Sequence, residues 1–447
     1  MLSDFNIFIL VIIFLLQLFI WYIFLKKSGF IYSEINIFNI LFYFILIFQY
    51  FGFLYIFLLA GYKFSNSEAI VAVFFNTSIT ISYLILGSYV ARFFLSKSKI
   101  FKLFKEKFDT VIISESASII FLLVLISISA IYFSKYLYIV GFDNIAFLKL
   151  IGMSENPHSV AFLRSEMGNN FPGKYHWYRL FIRDFMYLSS SLIFSLYLTN
   201  PKINKVPIAI AIFLLAFASS VIAAEKQPVS ELLIFLFFTY SLIKNEGRIT
   251  FKKMITISMI ILGIISVFYY FLGQRDLHRA MISTANRVFI AQMEGLYYYM
   301  EIFPTSIEFL AGRSFPNPAG IFPWEPYRLA VGVAEIVSGA NNSGIVGSMP
   351  TFYWGEMYAN FGLAGVLIPP FFIGFLIRVV DFLFNNQKKK IILVPIYIWF
   401  IFHYKDLAMT GLSKFLIDIN LFSIIGTLMI SIWLSKIYLK LKISTLK

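Results

Sequence analysis

Cysteine is absent from this chain of 447 residues, which excludes disulfides, thiolate metal sites and cysteine nucleophiles. Charge is scarce as well: Asp, Glu, Lys and Arg supply 13% of residues, against 60% hydrophobic ones. There is no Asp-x-Asp pair, no Walker loop, no His-Glu-x-x-His and no Gly-x-Ser-x-Gly. The four histidines (His158, His176, His278, His403) are not spaced as a ligand set. Metal-dependent and ATP-driven chemistry are therefore not expected, and no cofactor or metal is assigned.

Long apolar runs dominate what remains. A soluble fold of this length could not hide so much apolar surface, so lipid is expected to be part of the solvent. Stretches near the length of a membrane crossing fall at 5–25, 36–60, 69–92, 116–139, 180–198, 206–222, 229–243, 254–271, 355–380, 391–409 and 415–436. The sixth and seventh are short. The expectation is an all-α, polytopic transmembrane bundle of about 11 spans with a large, partly helical outer loop. Residues 1–271 would hold spans one to eight and an outer loop at 141–178, and 272–354 the large outer loop. Residues 355–447 would hold the last three spans and a basic cytoplasmic tail. Phe5 to Leu25 lacks a basic leader and a small-residue cleavage site, so it reads as a retained span.

The net charge of +14 need not mean nucleic acid, because Lys and Arg gather in the cytoplasmic loops of membrane proteins. Alternate connections starting at Lys26 carry 20 basic residues in short segments, and the opposite set carries 11 over far more chain. That places the N-terminus outside. Nineteen of the 20 are lysine, whereas six of the 11 are arginine. Lysine suffices for a topology signal; the planar fork of arginine suits phosphate or carboxylate. The working face is expected on the outer side.

Four outer segments carry candidate chemistry. Gly273 to Arg287 offers Arg275, Arg279 and Arg287 with Asp276 and His278. Arg275 and Arg279 share a helical face and would clamp a lipid-linked diphosphate, or anchor at the interface by snorkelling. Ala223 to Pro228 places Glu225 and Lys226 in a tight connection at membrane depth, where ionisable groups are costly and tend to be functional. Phe171 to Asp184 holds His176, Arg179 and Arg183, and Arg164 would approach from the same loop. Met349 to Pro370 opens with Glu356 and Asn360 one turn apart, and Gly362 and Gly365 would admit a neighbouring helix. Between these, Asn286 to Glu301 suits an amphipathic helix at the interface, with Val288, Ile290, Ala291, Leu296 and Tyr299 as its apolar side.

Many spans, a short basic outer turn in mid-chain, a long Arg-rich outer loop and then Glu356-Met-Tyr-Ala-Asn360-Phe361-Gly362 together make the chain similar to the O-antigen polymerases. Such a mid-chain turn often carries arginine; here it carries Lys226. The resemblance implies a metal-independent glycosyltransferase of the bacterial inner membrane. It would join undecaprenyl-diphosphate-linked oligosaccharides on the periplasmic side, in the surface-polysaccharide or lipopolysaccharide pathway, with a chain-length regulator protein as a further partner. Arg275, Arg279, Arg287 and Lys226 would neutralise the departing diphosphate. Glu356, Glu225 or His278 would take the acceptor proton. Tyr297, Tyr298, Trp324 and Trp354 would stack on sugars, and Arg164, His176, Arg179, Arg183 and Asn360 would bind substrate. An O-antigen ligase shares this chemistry. A flippase or transporter of lipid-linked sugars would instead need charges lining a path, for which Lys135, Lys405, Asp406 and Asp418 are the candidates.

Overall fold

The computed structural model describes residues 4–58, 64–110, 115–151, 162–164, 166–168, 175–201, 205–270, 276, 278–279, 281–282, 286, 291–339, 347–384 and 390–445. The described chain is all-helical, and a β-bridge joins Glu34 to Arg248. In order, the helices are α1 (Asp4–Lys27), α2 (Ile37–Ile45), a π turn (Leu46–Phe51), α3 (Gly52–Leu58), α4 (Ser67–Lys97), α5 (Lys99–Thr110), α6 (Glu115–Val140), α7 (Ala146–Ile151) and α8 (Tyr175–Arg179). A second π turn (Leu180–Asp184) leads into α9 (Phe185–Thr199), α10 (Lys205–Val221), α11 (Lys226–Lys244) and α12 (Phe251–Tyr269). The C-terminal part comprises α13 (Ala291–Ile302), α14 (Leu329–Ser338), α15 (Tyr353–Phe361), α16 (Leu363–Phe384), α17 (Leu393–Lys405), α18 (Ser413–Leu416) and α19 (Ile419–Thr445).

Among the described residues, five segments are long and apolar enough to cross a membrane: Ile37–Leu54, Ser67–Lys97, Glu115–Val140, Leu363–Phe384 and Ser413–Leu441. Their apolar windows are only 22 to 61% buried within the protein. Leu15, Phe19, Phe93, Met259, Phe422 and Trp433 are among the large side chains left on the outside. So much exposed hydrocarbon is unfavourable in water and neutral in lipid.

The most extensive helix pair is α4 with α16. A Cβ at Gly87 would run into the Phe371 carbonyl, and one at Gly374 into the Leu84 carbonyl. Glycine on both sides of the crossing therefore lets the backbones touch, the usual device where apolar burial gives no gain. The stretch expected as one span at 355–380 is two helices. Gly362 sits at φ +58°, ψ −138°, which an L side chain cannot hold without strain, and it divides α15 from α16. The helix that comes close at Gly365 is α15, whose Met357 carbonyl abuts the Cβ position.

One end of the bundle gathers lysine-flanked segments. Arg92 donates to the Lys27 carbonyl at 2.9 Å and Arg378 to the Ser28 carbonyl at 3.1 Å. Ile35 and Ile249 pair the two connections through the Gly247 and Ser33 carbonyls at 2.8 and 2.7 Å. Asp381 accepts the Ile37 and Phe38 amides at 2.9 and 3.1 Å and the Tyr397 hydroxyl at 2.9 Å, stitching α16 and α17 to the start of α2. A second group of contacts is built from α13, α15, the loop at 303–328 and the 406–418 connection. α13 overturns the interfacial-helix expectation. Met293, Leu296, Tyr297 and Tyr299 are buried in the packed core, so the described side chains leave no apolar side for lipid headgroups; Val288, Ile290 and the side chain of Ala291 lie outside the described ones.

Candidate functional site

Glu356 opens α15 and is buried. Its Oε1 accepts the Ser314 hydroxyl at 2.8 Å and its Oε2 accepts the Ser413 amide at 2.8 Å. Three segments far apart in sequence thus converge on one carboxylate. Asn360, one turn later, is the latch that holds the loop in place. Its Nδ2 donates to Ser314 Oγ and to the Glu356 carbonyl, each at 2.8 Å, while its Oδ1 accepts the Gly312 amide at 2.9 Å. The Ala359 and Asn360 carbonyls take the Leu310 and Ala311 amides. Asn360 is therefore fully engaged in placing the loop that carries Ser314, and it positions the site from behind.

The carboxylate faces a cleft of about 500 Å³ whose walls include Tyr299, Ser314, Arg328, Glu356, Ser413 and Lys414. Burial pushes the Glu356 carboxyl above its usual range, opposed by the donors from Ser413 and Ser314. Burial, with Glu356 nearby, also holds the Tyr299 phenol well above its ordinary value. Arg328 precedes α14 and is exposed toward the cleft. Lys414 is fixed by Asp406 at 2.8 Å. Asp406 in turn pairs with Lys405 at 2.7 Å, and Lys405 with Glu231 at 2.9 Å. Gln227 donates to Glu231 at 3.0 Å, so this ladder ties the start of α11 to the cleft wall. Lys405 and Asp406 are consumed in it, and Asp418 pairs with His403. Lys135 is exposed.

The remaining expected residues divide between places. Arg183 is buried and pairs with Glu225 at 3.3 Å beside a cavity of about 30 Å³, room for one water. Arg179 lines the same cavity but is exposed. The two arginines thus share one cavity lining, Arg183 held by Glu225 and Arg179 open to solvent. Glu225 orients Arg183, while the side chain of Lys226 lies outside the described ones. Arg164 Nε is buried without a hydrogen-bond partner among the described residues. His176 is exposed beside Trp177. Arg275 and Arg287 lie outside the described residues. His278 and Arg279 are exposed; Asp276 accepts the His278 amide at 2.9 Å and stands 3.7 Å from Arg279 Nε.

Two aromatic expectations are corrected. Trp354 is 0% exposed, its Nε1 donating to Gln49 in the first π turn at 3.0 Å, so no sugar reaches its face. Tyr297 is buried against Phe64, accepts the Asn66 amide at 3.0 Å and donates to Glu301 at 3.2 Å. Tyr298 is partly buried against it. Trp324 stacks on the exposed Phe322 with ring centroids 4.9 Å apart, in a loop that Asn317 closes through the Phe322 and Trp324 carbonyls. Ser314, Arg328, Ser413 and Lys414 were not singled out from sequence. No spacing rule relates positions 314, 356 and 413, although Arg328 and Lys414 do stand in the sparser of the two alternating sets of basic residues. Among the described residues, no three His, Asp or Glu side chains gather as a metal site. No protein family, curated protein or solved structure matches this chain.

Proposed function

We propose that this chain is a membrane glycosyltransferase that polymerises oligosaccharide units carried on undecaprenyl diphosphate. It would sit in the bacterial cytoplasmic membrane with about 11 passes and its cleft on the outer side. The observation that carries the reading is Glu356, a buried carboxylate held by two donors on the wall of a large cleft that also presents Arg328 and Lys414. The contacts among lysine-flanked connections at the opposite end support the alternation of passes.

In the reaction, a hydroxyl of the acceptor unit attacks the anomeric carbon of the donor sugar. The new glycosidic C–O bond forms as the bond to the lipid diphosphate breaks, and the diphosphate leaves with the electron pair. Glu356 takes the hydroxyl proton; a carboxylate whose affinity for protons is raised is the stronger base once ionised. Arg328 and Lys414 balance the charge growing on the diphosphate, the kind of fixed electrostatic support that contributes most in such sites. Arg275, Arg279, Arg287 and Lys226 are retained as donors to the same anion from the neighbouring outer loops. A chain-length regulator protein remains a candidate partner.

Proteoliposomes holding the purified protein and a synthetic lipid-diphosphate repeat unit test the reading. A ladder of polymer is expected. Efficient transbilayer movement of the lipid with no polymer would overturn it in favour of a flippase. Transfer only to a lipid A core acceptor would identify a ligase instead.

A further inference from the structure

Helix α5 (Lys99–Thr110) is joined by the single residue Ser98 to α4, which is long and apolar enough to cross a membrane, and residues 111–114 lead on to α6, which is too. Ser98 takes extended backbone angles, φ −74° and ψ 118°, so the chain turns out of α4 before helix resumes. A helix tethered this way between two spans lies at the lipid surface. Its sequence, KIFKLFKEKFDT, suits that place. On a helical wheel Ile100, Leu103, Phe104 and Phe108 occupy one arc, broken by Lys107, while Lys99, Lys102, Glu106 and Asp109 occupy the other.

The contacts show which side is taken by protein. Phe101 meets Phe94 with ring centroids 5.7 Å apart, and Lys105 Nζ stands 4.1 Å over the Phe382 ring near the end of α16. These pin one edge of α5 to the bundle. Ile100 is 78% and Leu103 57% exposed, and neither is covered by the bundle. Lys97, Lys99 and Lys102 are exposed beside them. Five lysines stand between positions 97 and 109 against Glu106 and Asp109, at the end of the molecule where the other lysine-flanked connections meet.

We propose that α5 is an in-plane membrane helix that binds anionic phospholipid headgroups. Ile100 and Leu103 enter the acyl boundary, and Lys97, Lys99 and Lys102 sit among the phosphates. Apolar burial supplies the anchor and lysines supply the preference for negative lipid, each lysine near such a surface contributing roughly fivefold in partition. The inference depends on the membrane setting and is independent of the transferase reading.

The absence of cysteine makes the test clean. Leu103→Cys, at an exposed position, is labelled with an environment-sensitive fluorophore and the full-length protein is placed in vesicles of phosphatidylcholine, alone or with added phosphatidylglycerol. The expected result is a blue-shifted emission that grows with phosphatidylglycerol, is quenched by shallow lipid-borne quenchers and weakens at high salt. A label at Glu106→Cys, on the polar arc, stays aqueous. Lys99→Glu with Lys102→Glu should raise the phosphatidylglycerol fraction needed for half the shift by at least several-fold. An aqueous emission from position 103 in both lipids would overturn the proposal. So would a blue shift equal in the two lipids and unmoved by the charge reversals, because the helix would then be interfacial without choosing anionic headgroups.

Discussion

Asp381 and Glu356 are buried alike, 7% and 4% exposed, yet their surroundings give them opposite roles. Asp381 accepts two backbone amides at the start of α2 and the Tyr397 hydroxyl. Its acceptor positions go to helix ends and a neighbouring helix, and neither the main cleft nor the small cavity reaches it. Glu356 accepts one side-chain hydroxyl and one amide, and it lines a cleft whose walls also carry Arg328 and Lys414. Burial of a carboxylate is therefore no mark of function here. What separates the two is whether open space stands beside the residue.

The sharpest way to break this contrast is Asp381→Ala. It leaves two amides and a phenol without their acceptor, at about 1–3 kcal/mol for each buried group. The expected outcome is loss of folded protein or a large drop in the thermal midpoint in detergent, with Asp381→Asn milder. An unchanged midpoint for the alanine variant would mean that Asp381 is no keystone. Glu356→Gln should do the reverse. Removing the proton acceptor is expected to cut polymer formation by about 10²–10⁴, with the midpoint unchanged or raised at neutral pH. The sign follows from the raised carboxyl: the folded state holds the proton more tightly than the unfolded state. Its stabilising share is then complete below the ordinary carboxylate value and is lost as pH climbs through the raised folded value. Wild-type stability should fall across that window relative to Glu356→Gln, and parallel pH curves for the two proteins would sink the argument.

Smaller effects sharpen the picture. Gly411 touches the Glu356 carboxylate, so that a Cβ there would displace it. Gly411→Ala is expected to lower turnover by roughly 10²-fold at near-constant stability, as a misplacement of about 1 Å does. Lys414→Met removes a cation from the cleft wall and leaves Asp406 paired with Lys405. A loss of about tenfold, seen more in KM than in stability, is expected for a partly exposed charge facing an anion. Equal activity would remove Lys414 from the site.

Much of the fold was legible because long apolar runs and lysine placement are local signals. Helicity, the break before the outer segments and the basic connections followed from them. The splitting of α15 from α16 was not, because Gly362 reads as a packing glycine until its backbone angles are known. Nor was the burial of α13, since Leu296, Tyr297 and Tyr299 give the same pattern whether lipid or protein covers them. At the site, Glu356 was legible as a helix-start acid. Its partners Ser314 and Ser413 were not, being ordinary serines brought in by tertiary folding. Trp354 misled because an aromatic next to a candidate acid looks like a sugar platform, whereas Gln49, more than 300 residues away, claims its indole.

The weakest effect expected is at Arg279, and it decides how far the site extends. Arg279 is 74% exposed, and Asp276 stands 3.7 Å from its Nε. A pair so open to water contributes about 0–1 kcal/mol to stability, so Arg279→Glu should leave the thermal midpoint where it is. Its effect on polymerisation separates two geometries. If the outer loop closes over the diphosphate, charge reversal lowers activity several-fold at low salt, and the difference shrinks as ionic strength rises, because exposed charges are screened within about 10 Å at 0.1 M. If Arg328 and Lys414 suffice, the variant matches wild type at every salt concentration. The clamp once expected from the loop arginines is then replaced by the cleft cations. Measuring initial rates of Arg279→Glu and Lys414→Met side by side across salt therefore asks which of these cations meets the anion.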